Sequence, residues 1–298
     1  GQRQMCLRDR LANLMMLKES VAIAGSHGKT TITCILAHIF SFNKLDPTYI
    51  IGGKVESFAS NAKLGKGDHI FTEADESDGS FLLLRPRKAV IANIDNDHLE
   101  TYNNNIEELK KSFKNFCLNI PFHGRIFANG DSSEVLDVIE NLPRNITSYG
   151  FSEINDFQIS DFSQNKNGSE FSLLNKSNKK KMKFKTNMIG RHNVSNTVAA
   201  IIVALDEGIS YEDIKDSLEK FIVIERSFQL NANEKKEKQQ EEDQQSETSD
   251  QFIDRMFMDP EDEEVPGSPF LTSRFPFEDT GGWFSGPQPL LSRFSYVL

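Results

Sequence analysis

The sequence predicts an α/β protein built on a mostly parallel, doubly wound sheet, and three observations lead to this fold class. Short apolar runs alternate with longer segments in which apolar residues recur at helical spacing. A glycine turn joins the first apolar run directly to the helix that follows it. Polar clusters come immediately after several of the other runs. Because parallel strands end at one edge of their sheet, we expect these polar clusters to meet there.

The first part of the chain is predicted to form a helix, a strand and a second helix. Residues 1–20 place several leucines on one side of a helix, and residues 21–24, VAIA, are typical of a short buried strand. The second helix begins at Lys29. Its buried face consists of Ile32, Ile35, Leu36, Ile39 and Phe40.

Residues 25–31, GSHGKTT, connect this strand and helix in the way that phosphate-binding loops do. Backbone N–H groups at a helix start point toward a bound anion, and the helix dipole adds to the attraction. We expect Lys29 to reach the outer phosphates of a nucleoside triphosphate and the Thr30 hydroxyl to bind Mg²⁺. The loop is a shortened one, since Ile23 stands where the common P-loop has its first glycine. A chance glycine-rich turn is the alternative.

The candidate nucleotide-binding residues of this segment are Gly25, Ser26, His27, Gly28, Lys29, Thr30 and Thr31. Among them, His27 has two interpretations. Its ring either orients phosphate or substrate, or serves the structure of the turn.

The rest of the body alternates between strands and helices and then changes to an antiparallel pattern. Strands are predicted at 47–53, 70–74, 89–94 and 125–129, helices at 106–118 and 133–141, and a polar loop at 54–68. Residues 156–186 carry three short alternating segments, which predict an antiparallel meander at one side of the sheet. Two helices follow, at 194–205 and from the capping residue Ser210 to about residue 221.

Three side chains of the kinds that bind divalent cations occur at the predicted sheet edge. Thr30 opens the phosphate helix, Glu73 lies near the end of the 70–74 strand, and His98 follows the 89–94 strand. Mg²⁺ keeps several waters and takes few protein ligands, so this small set suffices. The alternatives are a solvated acidic loop for EADESD, residues 73–78, and a hydrogen-bonded loop histidine for His98. The combination of Thr30, Glu73 and His98 next to a phosphate loop favours the metal site over these alternatives.

Four motifs, in this order and spacing, resemble those of the Mur ligase family: AGSHGKTT, EADESDGSF, NIDNDHLETY and GRHNVSN. The likeness covers residues 1–230. Within the family, the motifs look most like the branch that adds L-alanine to UDP-N-acetylmuramate. The branch that recycles cell-wall peptides is a near alternative.

The resemblance implies an ATP-dependent ligase of peptidoglycan synthesis that forms an amide bond through an acyl phosphate. ATP and Mg²⁺ would be its cofactors, and UDP-N-acetylmuramate and L-alanine its substrates. Lys29 and His98 would be catalytic, and Thr30, Glu73 and His98 would serve the metal. The residues near the adenine would be His192, Asn193 and Asn196. Asn93 and Asp97 would support the site.

The resemblance also predicts the domain organisation. Family members carry an N-terminal domain that binds the uridine nucleotide and a C-terminal domain that helps to bind ATP and the amino acid. Residues 1–20 are too few for the first, and a charged tail stands where the last should begin. We therefore expect a central ATP-binding domain at 1–230 and a disordered, acidic, low-complexity tail at 231–298. A non-catalytic nucleotide-binding module whose tail recruits a protein partner is the rival hypothesis.

Composition narrows the class of protein. Almost all of the formal net charge of −10 comes from residues 231–298, and the balanced body gives no indication of a nucleic-acid partner. The three cysteines are not spaced like a disulfide framework or a set of metal ligands, which is typical of a reduced, intracellular protein. No signal peptide precedes the first strand, and no apolar run approaches the roughly 20 residues that span a bilayer. We expect a cytoplasmic protein without membrane insertion.

Overall fold

The computed structural model describes residues 11–52, 61–96 and 99–221. The strands in chain order are β1 (Glu19–Ala24), β2 (Thr48–Ile50), β3 (Ala62–Lys63), β4 (His69–Ala74), β5 (Lys88–Ile91), β6 (Arg125–Asn129), β7 (Asn145–Gly150), β8 (Phe157–Asn165), β9 (Gly168–Asn175) and β10 (Lys180–Thr186). The helices are α1 (residues 11–17), α2 (Lys29–Phe42), α3 (Ile106–Asn119), α4 (Ser133–Ile139), α5 (Arg191–Asp206) and α6 (Tyr211–Lys220).

The described strands form one sheet in the order β10-β9-β8-β7-β6-β5-β1-β4-β2-β3. Along this order, every pair of neighbouring strands between β8 and β2 is parallel. The meander of β8, β9 and β10 is antiparallel and lies at one side of the sheet, while β3 pairs antiparallel with β2 at the other. The predicted fold class, a mostly parallel sheet with a small antiparallel meander, is therefore confirmed.

Helices cover both faces of the sheet, and β1 shows how the two cores form. Its side chains alternate, so that Val21 and Ile23 join the core under α2, α5 and α6, whereas Ala22 and Ala24 join the core under α1, α3 and α4. Strands that are buried on both faces read as continuous apolar runs, which is why VAIA was recognisable. The doubly wound arrangement brings the carboxyl ends of β1, β4, β5 and β6 to one edge.

Most predicted elements occur within a few residues of their expected bounds, and the exceptions have physical causes. The helix predicted for 1–20 ends at residue 17, because Glu19 already pairs with His69 in the sheet. β3 and β7 lie where no strand was predicted. β3 has two residues, and β7, NITSYG, is largely polar, so neither shows a strand pattern.

The start of α5 corrects a further expectation. The helix begins at Arg191, three residues before the predicted start at Val194, so His192 and Asn193 lie in its first turn and not before it. The first turn of α5 is polar, and the apolar periodicity of the helix begins only with Val194. Periodicity therefore places the start of this helix too late.

Residues 1–10 and 222–298, including the predicted tail at 231–298, lie outside the described residues, so the prediction of a disordered tail stays a prediction. Along the described parts of the chain, we find no helix with the length and apolar character needed to cross a membrane.

Candidate functional site

The loop of residues 25–28 leaves the carboxyl end of β1 and enters α2 through two glycines with positive φ. Gly25 has φ of 143°, and a Cβ atom there would lie 3.0 Å from the backbone nitrogen and oxygen of Asn93. Gly28 has φ of 83°, and a Cβ atom there would lie 2.6 Å from Oδ1 of Asn196. Both positions therefore need glycine for backbone conformation and for close packing.

The segment after β5 holds this loop in place. The Ser26 amide donates to the Asn93 carbonyl at 3.3 Å, and the Asp95 amide donates to the Ser26 hydroxyl at 2.9 Å. The Asn93 side chain forms two further hydrogen bonds, with the backbone N–H and C=O of His27. The His27 ring is exposed, and its Nε2 lies 3.7 Å from the Asp95 carboxylate. Asn93 thus supports the loop, which is the supporting role that the family resemblance implied for this residue.

Lys29 is the first residue of α2, and its ammonium points back across the loop. Nζ donates to the Gly25 carbonyl at 2.7 Å and to Oε2 of Glu76 at 2.8 Å, and lies 3.6 Å from Oδ1 of Asp75. The Lys29 side chain is 14% exposed, whereas that of Glu76 is fully buried. The candidate phosphate ligand is therefore close to the loop backbone and paired with a buried carboxylate.

Glu73 comes from the end of β4 and reaches the start of α2. The Thr30 hydroxyl and the Gly52 amide hydrogen-bond to its carboxylate. Burial raises the pKa of Glu73 above its usual range, although these hydrogen bonds and the charge of Lys29 oppose the increase. Its Oε1 is buried and has no hydrogen-bond partner among the described residues. A buried carboxylate oxygen beside a threonine hydroxyl fits the ligands that Mg²⁺ prefers.

The third predicted metal ligand, His98, lies outside the described residues, as does Asp97. The described residues bring together Thr30 and Glu73 only. Among them, no three or more His, Cys, Asp and Glu side chains are arranged to hold a metal ion. The metal site of Thr30, Glu73 and His98 therefore stays a prediction.

Helix α5 packs against α2 and brings the GRHNVSN segment to the loop. Asn196 is buried, and its side chain packs so closely on Gly28 that a Cβ atom added to this glycine would lie 2.6 Å from Oδ1. Asn193 is also buried, and its Nδ2 donates to the Ile189 carbonyl at 2.9 Å. His192 is exposed and lines a cavity beside the loop. The three residues predicted near the adenine thus occupy different places, with only Asn196 at the phosphate loop.

This cavity has a volume of about 570 Å³ and is lined by Asn129, Asp131, Phe151, Ser152, Arg191, His192 and Ser195. Asn129 donates to the Ala92 carbonyl at 2.9 Å, and Ala92 packs against Gly25, so the cavity adjoins the loop. The Arg191 guanidinium lies 3.7 Å from the centre of the Phe151 ring. The Ser195 hydroxyl has no hydrogen-bond partner within the described ranges.

Sequence reasoning missed Glu76 and the Phe151–Arg191 wall of the cavity. Glu76 belongs to EADESD, but nothing in that run distinguishes the one acid with a fully buried side chain from its exposed neighbour Asp75. Its spacing of three residues from Glu73 is the available signal. Phe151 and Arg191 are 40 residues apart and meet only through the fold.

Comparisons with known proteins show which sequences and folds this chain is similar to. Residues 23–204, more than half of the chain, match the Mur ligase middle domain. The chain is 38% identical over 224 residues to the UDP-N-acetylmuramate–L-alanine ligase of Psychrobacter sp. (strain PRwf-1), and the match covers 75% of this chain and 47% of that protein. The chain therefore spans about half the length of this curated relative.

Solved structures show the same fold. The UDP-N-acetylmuramate:L-alanyl-gamma-D-glutamyl-meso-diaminopimelate ligase of Neisseria meningitides superposes with a TM-score of 0.64 at 25% identity, covering 72% of this chain and 70% of that one. The UDP-N-acetylmuramate-alanine ligase of Thermotoga maritima has a TM-score of 0.64 at 24% identity, covering 75% of this chain and 49% of that one.

Proposed function

Because this chain belongs to the Mur ligase middle-domain family, as its four motifs predicted, we propose that it is the ATP-binding part of a ligase. The ligase joins L-alanine to UDP-N-acetylmuramate in peptidoglycan precursor synthesis. The observation that carries the proposal is the loop of residues 25–28, with Lys29 beside it and Glu73 and Thr30 at one end. The alanine-adding activity is preferred over peptide recycling because the relative at 38% identity is an L-alanine ligase.

The loop supports the binding of the ATP phosphates. Helix α2 begins at Lys29, so its first backbone N–H groups are available to an anion in the turn, and the positive end of the helix dipole faces the same point. No acidic residue occurs in the first turn of α2 to compete with that anion. Lys29 adds the cationic side chain that outer phosphates require.

The cavity beside the loop supports the binding of the nucleoside. Its wall combines a flat cation on an aromatic ring, from Arg191 and Phe151, with polar side chains such as that of Asn129. Purine bases stack on such surfaces and use polar groups for orientation. Because Ser195 precedes Asn196, which contacts Gly28, a nucleotide can lie with its base in the cavity and its phosphates in the loop.

Thr30, Glu73 and His98 would hold Mg²⁺. The cation supplies charge neutralisation at the phosphates when it is bound.

In the proposed reaction a carboxylate oxygen of UDP-N-acetylmuramate attacks the γ-phosphorus of ATP. The bond from that phosphorus to its bridging oxygen breaks, ADP leaves, and an acyl phosphate forms. The amino group of L-alanine then attacks the acyl carbon, phosphate leaves, and the nitrogen loses a proton. The first step brings two anions together, so the Lys29 ammonium stabilises the charge that develops on the transferred phosphoryl group.

Nucleotide binding to the full chain tests the proposal directly. We expect calorimetry to detect binding of ADP in the presence of Mg²⁺, and Lys29→Met to weaken it about tenfold or more, the scale of a lost charge-assisted hydrogen bond. Lys111→Met, at an exposed lysine of α3, is the matched control and should bind as the wild type does. Wild-type affinity in Lys29→Met, or no binding by the wild type, would show that the proposal is wrong.

A chimera tests the activity of the whole enzyme. Residues 11–221 replace the matching segment of the Psychrobacter ligase, and phosphate release is measured with UDP-N-acetylmuramate, ATP and L-alanine. We expect release that depends on L-alanine and is abolished by Lys29→Met. A folded chimera that binds ADP but releases phosphate only with the peptide of the recycling reaction would favour the recycling branch.

A further inference from the structure

We infer that Glu76 is the built-in counter-ion of Lys29, and that it makes the phosphate loop select nucleotide complexed with a divalent cation over free nucleotide. The inference rests on the proposed function and assigns a role to a residue outside the predicted phosphate and metal ligands.

The contacts of Lys29 define the pair. An ammonium group has three N–H donors. One goes to the Gly25 carbonyl at 2.7 Å and one to Oε2 of Glu76 at 2.8 Å. The third is left for a phosphate oxygen. Glu76 therefore orients the remaining N–H group of Lys29 and also neutralises the charge of Lys29 while no nucleotide is bound.

Burial sets Glu76 apart from the other acids of the EADESD run. Its side chain is fully buried, and its second oxygen, Oε1, has no hydrogen-bond partner among the described residues. Asp75 lies 3.6 Å from the same ammonium but is 59% exposed. Water and salt screen the charge of Asp75, whereas the charge of Glu76 acts at close range with little screening.

The backbone at Glu76 is held from outside the phosphate loop. The Tyr102 hydroxyl and the Gly79 amide both donate to the Glu76 carbonyl. Tyr102 is buried in the core under α3, so the position of Glu76 is set by packing on that side of the sheet. The carboxylate stays beside Lys29 because its own backbone is fixed.

The consequence concerns the charge of the incoming ligand. Free ADP brings several negative charges to a site where Lys29 is already neutralised and Glu76 and Glu73 repel them. ADP with a bound divalent cation brings less negative charge and meets less repulsion. Glu76 therefore penalises the free nucleotide more than the complexed one.

Glu76→Gln keeps the size of the side chain and removes the charge, and ADP binding to the full chain is the measurement. With EDTA present, we expect the variant to bind free ADP about tenfold more tightly than the wild type. With Mg²⁺ present, the gain should be at most about threefold. AMP lacks the outer phosphates that reach Lys29, so its affinity should change little with the substitution.

Asp75→Asn is the matched control, because it removes an equal charge that lies 3.6 Å from the same ammonium and is not hydrogen bonded to it. We expect it to tighten the binding of free ADP much less than Glu76→Gln does. The inference is overturned if Glu76→Gln leaves the affinity for free ADP unchanged or weaker, or if Asp75→Asn has the same effect. Failure of the wild type to bind ADP with Mg²⁺ would instead overturn the proposed function.

Thermal unfolding without nucleotide gives an independent readout if Glu76→Gln folds poorly. Lys29→Met leaves Glu76 buried without its cation, so this variant should melt several degrees below the wild type. In the double variant Lys29→Met/Glu76→Gln the uncompensated charge is gone, and the melting temperature should rise above that of Lys29→Met. A double variant that melts at or below Lys29→Met would show that Glu76 is not the counter-ion.

Discussion

The side-chain amide of Asn93 is hydrogen bonded to both backbone groups of His27, accepting from its N–H at 2.8 Å and donating to its C=O at 2.9 Å. This pair ties the segment after β5 to the middle of the phosphate loop, 66 residues earlier in the chain. The loop is therefore shaped by the neighbouring strand as well as by its own glycines.

Asn93→Ala should disorder the loop and weaken ADP binding. Loss of two hydrogen bonds costs about 1–3 kcal/mol in the free energy of unfolding, and the loop amides then need ordering when ADP binds. Chemical denaturation and calorimetry measure the two effects. Asn145→Ala is the control, since the Asn145 side chain also forms two hydrogen bonds, donating to the carbonyls of Phe122 and Gly124 away from the loop. It should lose stability but keep ADP affinity, and equal losses of affinity would contradict the role of Asn93.

Gly28→Ala should be more destabilising than its backbone conformation alone explains. A left-handed conformation costs a non-glycine residue about 1–2 kcal/mol, and here the new Cβ would also lie 2.6 Å from Oδ1 of Asn196. Gly208 has the same φ of 83° with nothing within 4 Å of a Cβ, so Gly208→Ala isolates the conformational cost. We expect urea unfolding to show a clearly larger loss for Gly28→Ala.

Asn196→Ala should restore part of that loss. The truncated side chain removes the close contact but not the strain at φ, so the double variant Gly28→Ala/Asn196→Ala should lie between Gly28→Ala and the wild type. Strictly additive losses would show that the contact does not limit this position.

The first strand, the helix that follows it and the phosphate loop between them were predictable because their signals are local. VAIA followed by GSHGKT is a buried strand, a turn and a helix start within about ten residues, and the structure has β1 and α2 at these positions. By contrast, β7 is a strand because β6 and β8 pair with it on either side, and its sequence, NITSYG, has no strand pattern of its own.

The candidate site was only partly predictable for the same reason. Glu73 was identifiable from its place near the end of an apolar run. The ion pair of Lys29 and Glu76 depends on how the turn after β4 packs beneath Tyr102, a relationship between segments 26 residues apart. Tertiary packing, which a single sequence does not reveal, decided which acid is buried.

Glu207 should make the stability of the fold depend on acid pH. Burial alone would raise the pKa of its carboxyl, but hydrogen bonds with His69 at 3.2 Å and Lys88 at 2.7 Å lower it below the usual 4.5. A folded pKa below the unfolded one stabilises the protein above about pH 4.5, and this contribution is lost as the pH falls through the folded pKa. Glu207→Gln should therefore be less stable than the wild type by about 1–3 kcal/mol at pH 7, and this deficit should shrink as the pH falls below about 4.5.

The comparison of Glu207→Gln with the wild type is made by urea unfolding at several pH values. Glu219→Gln, at an exposed glutamate of α6, is the control and should show little difference at any pH. A Glu207→Gln deficit that stays constant from pH 7 to pH 3.5 would mean that packing, and not the charge, accounts for it.

The buried thiols of Cys34 and Cys117 should report whether ADP stabilises the phosphate helix. Burial raises the pKa of both to about 12, with the charge of Glu73 adding to the increase at Cys34. At pH 8 only about one thiol in 10,000 is then ionised, and alkylation requires the fold to open. ADP at about 100 times its dissociation constant adds about 2.7 kcal/mol to any opening that releases it, which slows labelling about 100-fold.

Mass spectrometry of the Cys6→Ser chain, labelled with iodoacetamide, separates two kinds of opening. Cys34 lies on α2 and Cys117 on α3, in different helix layers. If both thiols react through global unfolding, ADP slows both equally, whereas local opening of α2 would make Cys34 react faster without ADP and gain more protection with it. Because α2 carries Lys29 and Thr30, we expect the second pattern. Cys34 labelling that is unchanged under ADP saturation would show that nucleotide binding is not coupled to the opening of this helix.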